Sequence, residues 1–128
     1  MATPRITRAN EIATLTRAML AAEGLDKVTV TLDPLAILSG SRHGVIVISP
    51  PDLTFPTFEQ TGAAWELSAI AGPADNMLAA WETLDAILEA LRTGGLDMAT
   101  ARGDMFAPQH GSPLPGYTIT LNPDLIID

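Results

Sequence analysis

Residues 63–95, AAWELSAIAGPADNMLAAWETLDAILEALRTGG, constrain the fold more than any other stretch of this chain. In AAWELSAIAG the apolar residues Trp65, Leu67 and Ala69 alternate with Glu66 and Ser68. That period of two predicts a strand with one covered face. Directly after Gly72-Pro73 the period changes. Met77, Trp81, Leu84, Leu88 and Leu91 form one helical stripe, widened by Leu78 and Ile87. Asp75 is the expected helix cap and Gly94-Gly95 the expected stop. A one-faced strand running straight into a one-faced helix requires the helix to lie on a sheet.

The rest of the chain supplies the other layers. Residues 1–9 read as a short N-terminal arm. RANEIATLTRAMLAAEG, residues 8–24, reads as a helix with Ile12, Leu15, Met19 and Ala22 on its apolar face, Asn10 or Thr7 as cap and Gly24 as terminator. KVTVTLDP (27–34) alternates strictly and predicts a half-buried strand ended by Pro34. GVIVISP (44–50) predicts a short strand covered on both faces. Residues 50–62, PPDLTFPTFEQTG, read as an extended proline-rich loop. LDMATARGDMF and GYTITLNP read as two closing strands joined by APQHGSPLPG. With 128 residues the chain is expected to make one domain, residues 1–128. The expected class is α+β: two helices packed on a mainly antiparallel sheet of about five strands.

Few chemistries survive the residue inventory. The chain has no cysteine, which removes disulfides, thiolate metal sites and a thiol nucleophile. Its formal net charge is −8, and no Lys or Arg occurs between His43 and Leu91. Phosphate neutralisation needs clustered Lys and Arg, so specific nucleic-acid binding is not expected. The Gly72-Pro73-Ala74-Asp75 turn makes a poor anion cradle. Pro73 lacks an N–H, and Asp75 puts negative charge where an anion would sit. His43 and His110 lie apart in Gly/Ser-rich loops without zinc-ligand spacing. No serine sits in a G-x-S-x-G elbow. Glu82, Asp85 and Glu89 lie opposite the apolar stripe, as a solvated or partner-facing side. The RGD at 102–104 reads as part of a strand end. No catalytic, cofactor or metal residue is assigned, and no enzyme activity or cofactor is expected. An alternative class, a small enzyme or ligand-binding domain, requires His43, Asp104 and His110 to converge.

Interaction is what the composition favours. Hydrophobic residues make up 47% of the chain and charged residues only 17%, which is apolar for a domain of this size. The apolar runs LAIL (35–38) and VIVI (45–48) are far shorter than the ~20 residues of a membrane-spanning helix. The start, MATPRITRANE, has no hydrophobic signal core, and no membrane partner is expected. Surplus apolar surface is then best covered by other protein chains. Leu53, Phe55 and Phe58 in the proline-rich loop, Arg42 and His43 in SGSRHG, and Met105 with Phe106 are the candidate interface residues.

The succession of elements, together with AGPADNMLAAWETLDAILEAL and the closing YTITL, resembles the tail-terminator and tail-completion proteins of phages with long non-contractile tails. The resemblance covers nearly the whole chain in layout. It implies a non-enzymatic virion protein of the tail, made in the host cytoplasm. It further implies a homo-hexameric ring at the head-proximal end of the tail tube, which ends tube growth and docks the head connector. The expected partners are further copies of the chain, the tube protein and the connector or stopper protein, with DNA passing through the lumen unbound. Head–tail connector proteins (stopper or adaptor) share this size and layout. A non-viral oligomeric adaptor module is the other alternative.

Overall fold

The computed structural model describes residues 3–33, 43–73, 75–106 and 113–127. Two helices and eight strands are found among them: α1 (Pro4–Ala22), β1 (Thr29–Thr31), β2 (Val45–Ile48), β3 (Asp52–Thr54), β4 (Gln60–Ala64), β5 (Glu66–Ile70), α2 (Met77–Thr93), β6 (Met98–Phe106), β7 (Leu114–Leu121) and β8 (Asp124–Ile127). The strands form a five-stranded sheet, β1-β2-β5-β7-β6, and a three-stranded one, β3-β4-β8. Only the β1–β2 pair is parallel among the described strands. The class is α+β, as the alternation of the two periods requires.

The two sheets share three chains. β2 continues into β3, β5 follows β4, and β7 continues into β8, so β3-β4-β8 repeats the order β2-β5-β7. All three chains break at one level, at Ser49–Pro51, Trp65 and Asn122-Pro123. Ile48 faces Leu67 and Asp52 faces Ala64, so residues 49–51 lie opposite only Trp65 and Glu66. Glu66 faces Thr120 and Ala63 faces Asp124, so residues 121–123 lie opposite only residues 64 and 65. Both outer chains thus carry one residue more than the middle one, as in a β-bulge. Pro50, Pro51 and Pro123 sit in these stretches, where a missing N–H costs no ladder bond. Trp65 fills the break: it is 1% exposed, and its carbonyl accepts the Leu121 N–H at 3.0 Å.

α1 starts earlier than its apolar pattern indicates. Thr3 is the cap, its hydroxyl accepting the Ile6 N–H at 3.3 Å, and Pro4 opens the helix. Residues 4–9 are therefore helical and not an arm. Proline is favoured at a first helical position, where its missing N–H has no intrahelical partner to lose. The buried face is also rotated. Ala9, Ile12, Ala13, Thr16 and Leu20 are covered, while Leu15 and Ala22 are exposed. Thr16 returns its hydroxyl to the Ile12 carbonyl at 2.7 Å, which makes its burial inexpensive.

Both helices end in a Schellman turn. At the end of α2 the Leu96 N–H reaches the Leu91 carbonyl at 3.0 Å and the Gly95 N–H reaches Arg92 at 3.1 Å. Gly95 takes φ +85° in open space. Gly94 has an ordinary φ but sits against α1, where an added Cβ would lie 2.8 Å from the Met19 Cβ. The core joins Ile12 and Leu20 of α1, Leu84, Ile87 and Leu91 of α2, and the sheet residues Ile46, Ile48, Leu67 and Ile119.

On each edge of the five-stranded sheet a side chain takes up one backbone group. Thr29 donates to Gly44 within the sheet, and the neighbouring Val30 carbonyl is taken by Arg17 of α1 at 2.8 Å. On the far edge, β6 has its Met105 N–H bonded to the Asp104 carboxylate at 2.8 Å. Side chains that occupy edge groups discourage strand addition.

Trp65→Ala is expected to lose about 3–5 kcal/mol of folding stability in urea denaturation, since it empties the break that three chains share. Gly94→Ala and Gly95→Ala should both destabilise, the second by about 1–2 kcal/mol through backbone alone. Adding Met19→Ala should offset the loss at Gly94 and leave that at Gly95 unchanged, a coupling read by a double-mutant cycle.

Candidate functional site

Residues 50–62 are not a loop. They hold β3 and the start of β4, a hairpin that forms the arm of the smaller sheet. The alternation Asp52-Leu53-Thr54 is too short to register as a strand in sequence. It pairs because β4 lies beside it, with Leu53 opposite Ala63. Thr61 and Ala63 are buried on the inner side of β4. The turn carries its apolar groups outward: Phe55 is 68% exposed and Phe58 is 105% exposed, with Leu53 also exposed. Phe58 touches nothing on its own chain that shields it. The arm is anchored at its base, where Arg8 donates from Nε to Asp124 at 2.7 Å and from a terminal nitrogen to Glu11 at 3.1 Å. The Asp124 hydrogen bond is the main influence holding the Arg8 pKa above its ordinary value, so the guanidinium stays charged.

A second exposed apolar group was not expected from the sequence. Met77, Leu78 and Trp81 belong to the predicted stripe of α2, yet they are 47%, 65% and 54% exposed. The buried face is Ala80, Leu84, Ile87, Ala90 and Leu91. The first turn of α2 is left uncovered, and the two alanines set the close approach that the larger residues were expected to make. Positions 77 and 81, and 78 and 81, are neighbours on a helix surface, so the three side chains form one patch. Asn76, not Asp75, caps this end, its side-chain oxygen accepting the Ala79 N–H at 3.2 Å. A capped N-terminus with Asp75 beside it leaves no welcome for an anion.

The remaining sequence-predicted residues divide. Phe106 is half-buried, and its ring lies where a Cβ on Gly116 would come within 2.7 Å, so part of it covers its own sheet. Met105 is exposed beside it. His43 is exposed at a shallow depression of about 650 Å³ lined also by Lys27, Ala79 and Glu82. Arg42 and His110 lie outside the described residues. Two clefts flank Trp65. One, of about 190 Å³, is lined by Arg8, Met19, Asp97 and Asn122; the other, of about 180 Å³, by Arg5, Ile6, Leu32 and Pro51. In the first, Arg8 is paired with Asp124, and Asn122 donates to Asp97 at 2.6 Å, so its polar groups are already engaged. The Trp65 indole N–H is buried without a partner among the described residues. No group of three or more His, Cys, Asp or Glu side chains that could hold a metal occurs among the described residues. No helix among them is long and apolar enough to cross a membrane.

Comparison with protein-family models, with curated proteins and with solved structures finds no match to this chain. What the protein does is therefore read from its own side chains, and those that stand out are apolar and exposed. Phe58→Ser is expected to leave folding stability within about 0.5 kcal/mol of the parent, as substitutions of fully exposed side chains do, and Phe55→Ser to cost little more. Chemical denaturation followed by tryptophan fluorescence measures this, and a loss of several kcal/mol would place those rings inside the fold.

Proposed function

We propose that this protein is a structural component of a phage tail. In this reading it forms a ring at the head-proximal end of the tail tube, ends tube growth and offers its outer face to the head connector. The observation that carries the reading is the arm: a hairpin anchored at its base, with Phe55 and Phe58 presented to solvent at its turn. Uncovered aromatics on a well-cored domain mark a surface meant for another protein. The resemblance of the strand–Gly-Pro–helix segment to tail-terminator proteins supplies the setting.

Charge supports the same reading. The chain carries −8, and residues 43–91 contain no Lys or Arg. Six copies would bring about −48 to a ring, which repels passing phosphate instead of holding it. The protein acts by contact and not by catalysis. Its partners would be its own copies, the tube protein and the connector, and its place would be the virion tail after synthesis in the host cytoplasm.

Electron microscopy of the purified protein mixed with tubes of the tube protein from the same genome tests this. Rings seated on one end of each tube, and tubes that no longer lengthen when tube protein is added, are the expected result. Bare tube ends and unchecked growth at saturating protein would end the reading.

A further inference from the structure

β6 (Met98–Phe106) is the longest strand described and the last of the five-stranded sheet, and residues 99–105 are all exposed. The other outer strands, β1 and β3 of three residues and β8 of four, offer shorter edges. Which backbone groups of β6 face outward follows from β7. The Pro115 carbonyl accepts the Ala71 N–H at 3.3 Å, and the Leu121 N–H reaches the Trp65 carbonyl at 3.0 Å, so the odd-numbered residues of β7 bond toward the β5 side. Gly116, Thr118 and Thr120 are left to bond β6, and they stand opposite Asp104, Arg102 and Thr100. In an antiparallel ladder the intervening residues then turn their N–H and C=O away, here Ala101, Gly103 and Met105. The Met105 N–H agrees with this: it is taken by the Asp104 carboxylate and not by β7. Ala101 and Gly103 have no such cover.

We propose that β6 pairs antiparallel with β6 of a second copy, with Gly103 on the two-fold axis. Charge selects both the occupant and the register. The chain carries −8 in total, but β6 holds one Arg and one Asp, so two copies of it meet without net repulsion along the strand. Outward groups must face outward groups, which permits only registers that differ by two residues. With Gly103 opposite Gly103, Arg102 of each copy stands opposite Asp104 of the other, twice over. These are the non-hydrogen-bonded pairs of the new ladder, in which side chains come closest. The next register one way sets Arg102 against Arg102, and the next the other way sets Asp104 against Asp104. Like charges directly opposite are destabilising, so both neighbours are disfavoured. Gly103 exchanges hydrogen bonds with its counterpart across the axis, and the Ala101 N–H reaches the second copy's Met105 carbonyl. Asp104 holds the Met105 N–H through Oδ1, which leaves Oδ2 for the incoming guanidinium. Main-chain bonds supply the attraction, as in other strand additions, so the contact does not require a large apolar area. It is isologous and closes at two copies, so it lies outside the ring contacts of the proposed function and can join two single chains or two rings.

Charge reversal tests the pairing and its register together. Sedimentation velocity of the parent chain at about 100 µM is expected to show a dimer. Arg102→Asp places Asp against Asp, and Asp104→Arg places Arg against Arg. Each alone should weaken the dimer at least about tenfold. An equimolar mixture of the two variants should form a heterodimer, and Arg102→Asp/Asp104→Arg in one chain should restore the homodimer. Loss through simple misfolding would not be rescued by mixing. Gly103→Pro removes an outward N–H and no bond to β7, and should abolish the dimer in all backgrounds. A monomeric parent chain would overturn the proposal and leave the β6 edge to a strand of a different protein. Single reversals that dimerise like the parent, or a mixture that gives no heterodimer, would overturn it as well. Tube capping is a separate readout, so this pairing and the functional reading stand or fall independently.

Discussion

The structure hangs on one shared interruption. Three neighbouring chains stop pairing regularly at the same level, and the buried indole of Trp65 occupies the gap they leave. Because the outer chains each spend one more residue there than the middle one, the break cannot close by a simple slip of register. A slip by one residue would turn Leu67 and Ala69 away from the helices and expose the core face. The break therefore separates two tasks. The five-stranded sheet beyond it carries the helices and the core, and the three-stranded sheet before it carries the arm.

That division explains which surfaces remain open. α1 and α2 cover the larger sheet, and small residues at Ala9, Ala13, Ala80 and Ala90 let them approach closely. Gly94 against Met19 fixes where the two helices meet. Side chains occupy backbone groups on both sheet edges, while Phe106 shields Gly116. Among the described residues, much of the exposed apolar surface lies at the arm turn and the start of α2, with Ile6, Leu15, Leu32 and Met105 also exposed.

Much of the fold was legible from period alone. The strand at 66–70, the helix at 77–93, its Gly94-Gly95 stop and the strand at 45–48 stand where alternation and helical spacing put them. The reading failed where a rule other than hydrophobicity governs. The start of α1 is set by Thr3 and Pro4, a capping signal hidden by the polar residues that follow. Its buried face is chosen by packing distance, which favours Ala13 and Thr16 over Leu15. Of the candidate interface residues, Leu53, Phe55 and Phe58 are exposed on the arm and Phe106 is half-buried, while Trp81, read as core, is exposed.

Local pattern determined the parts: which residues alternate, which wind into helices and where the chain turns. Those properties depend on neighbours within a few residues, so they can be read along a line. Only the tertiary structure decided which of two apolar faces would be covered and that residues 50–62 would be a hairpin. Whether a leucine or a tryptophan is buried depends on what arrives from distant parts of the chain. β3 is a strand only because β4 lies beside it, and Trp81 is exposed although its spacing puts it on the apolar stripe of α2.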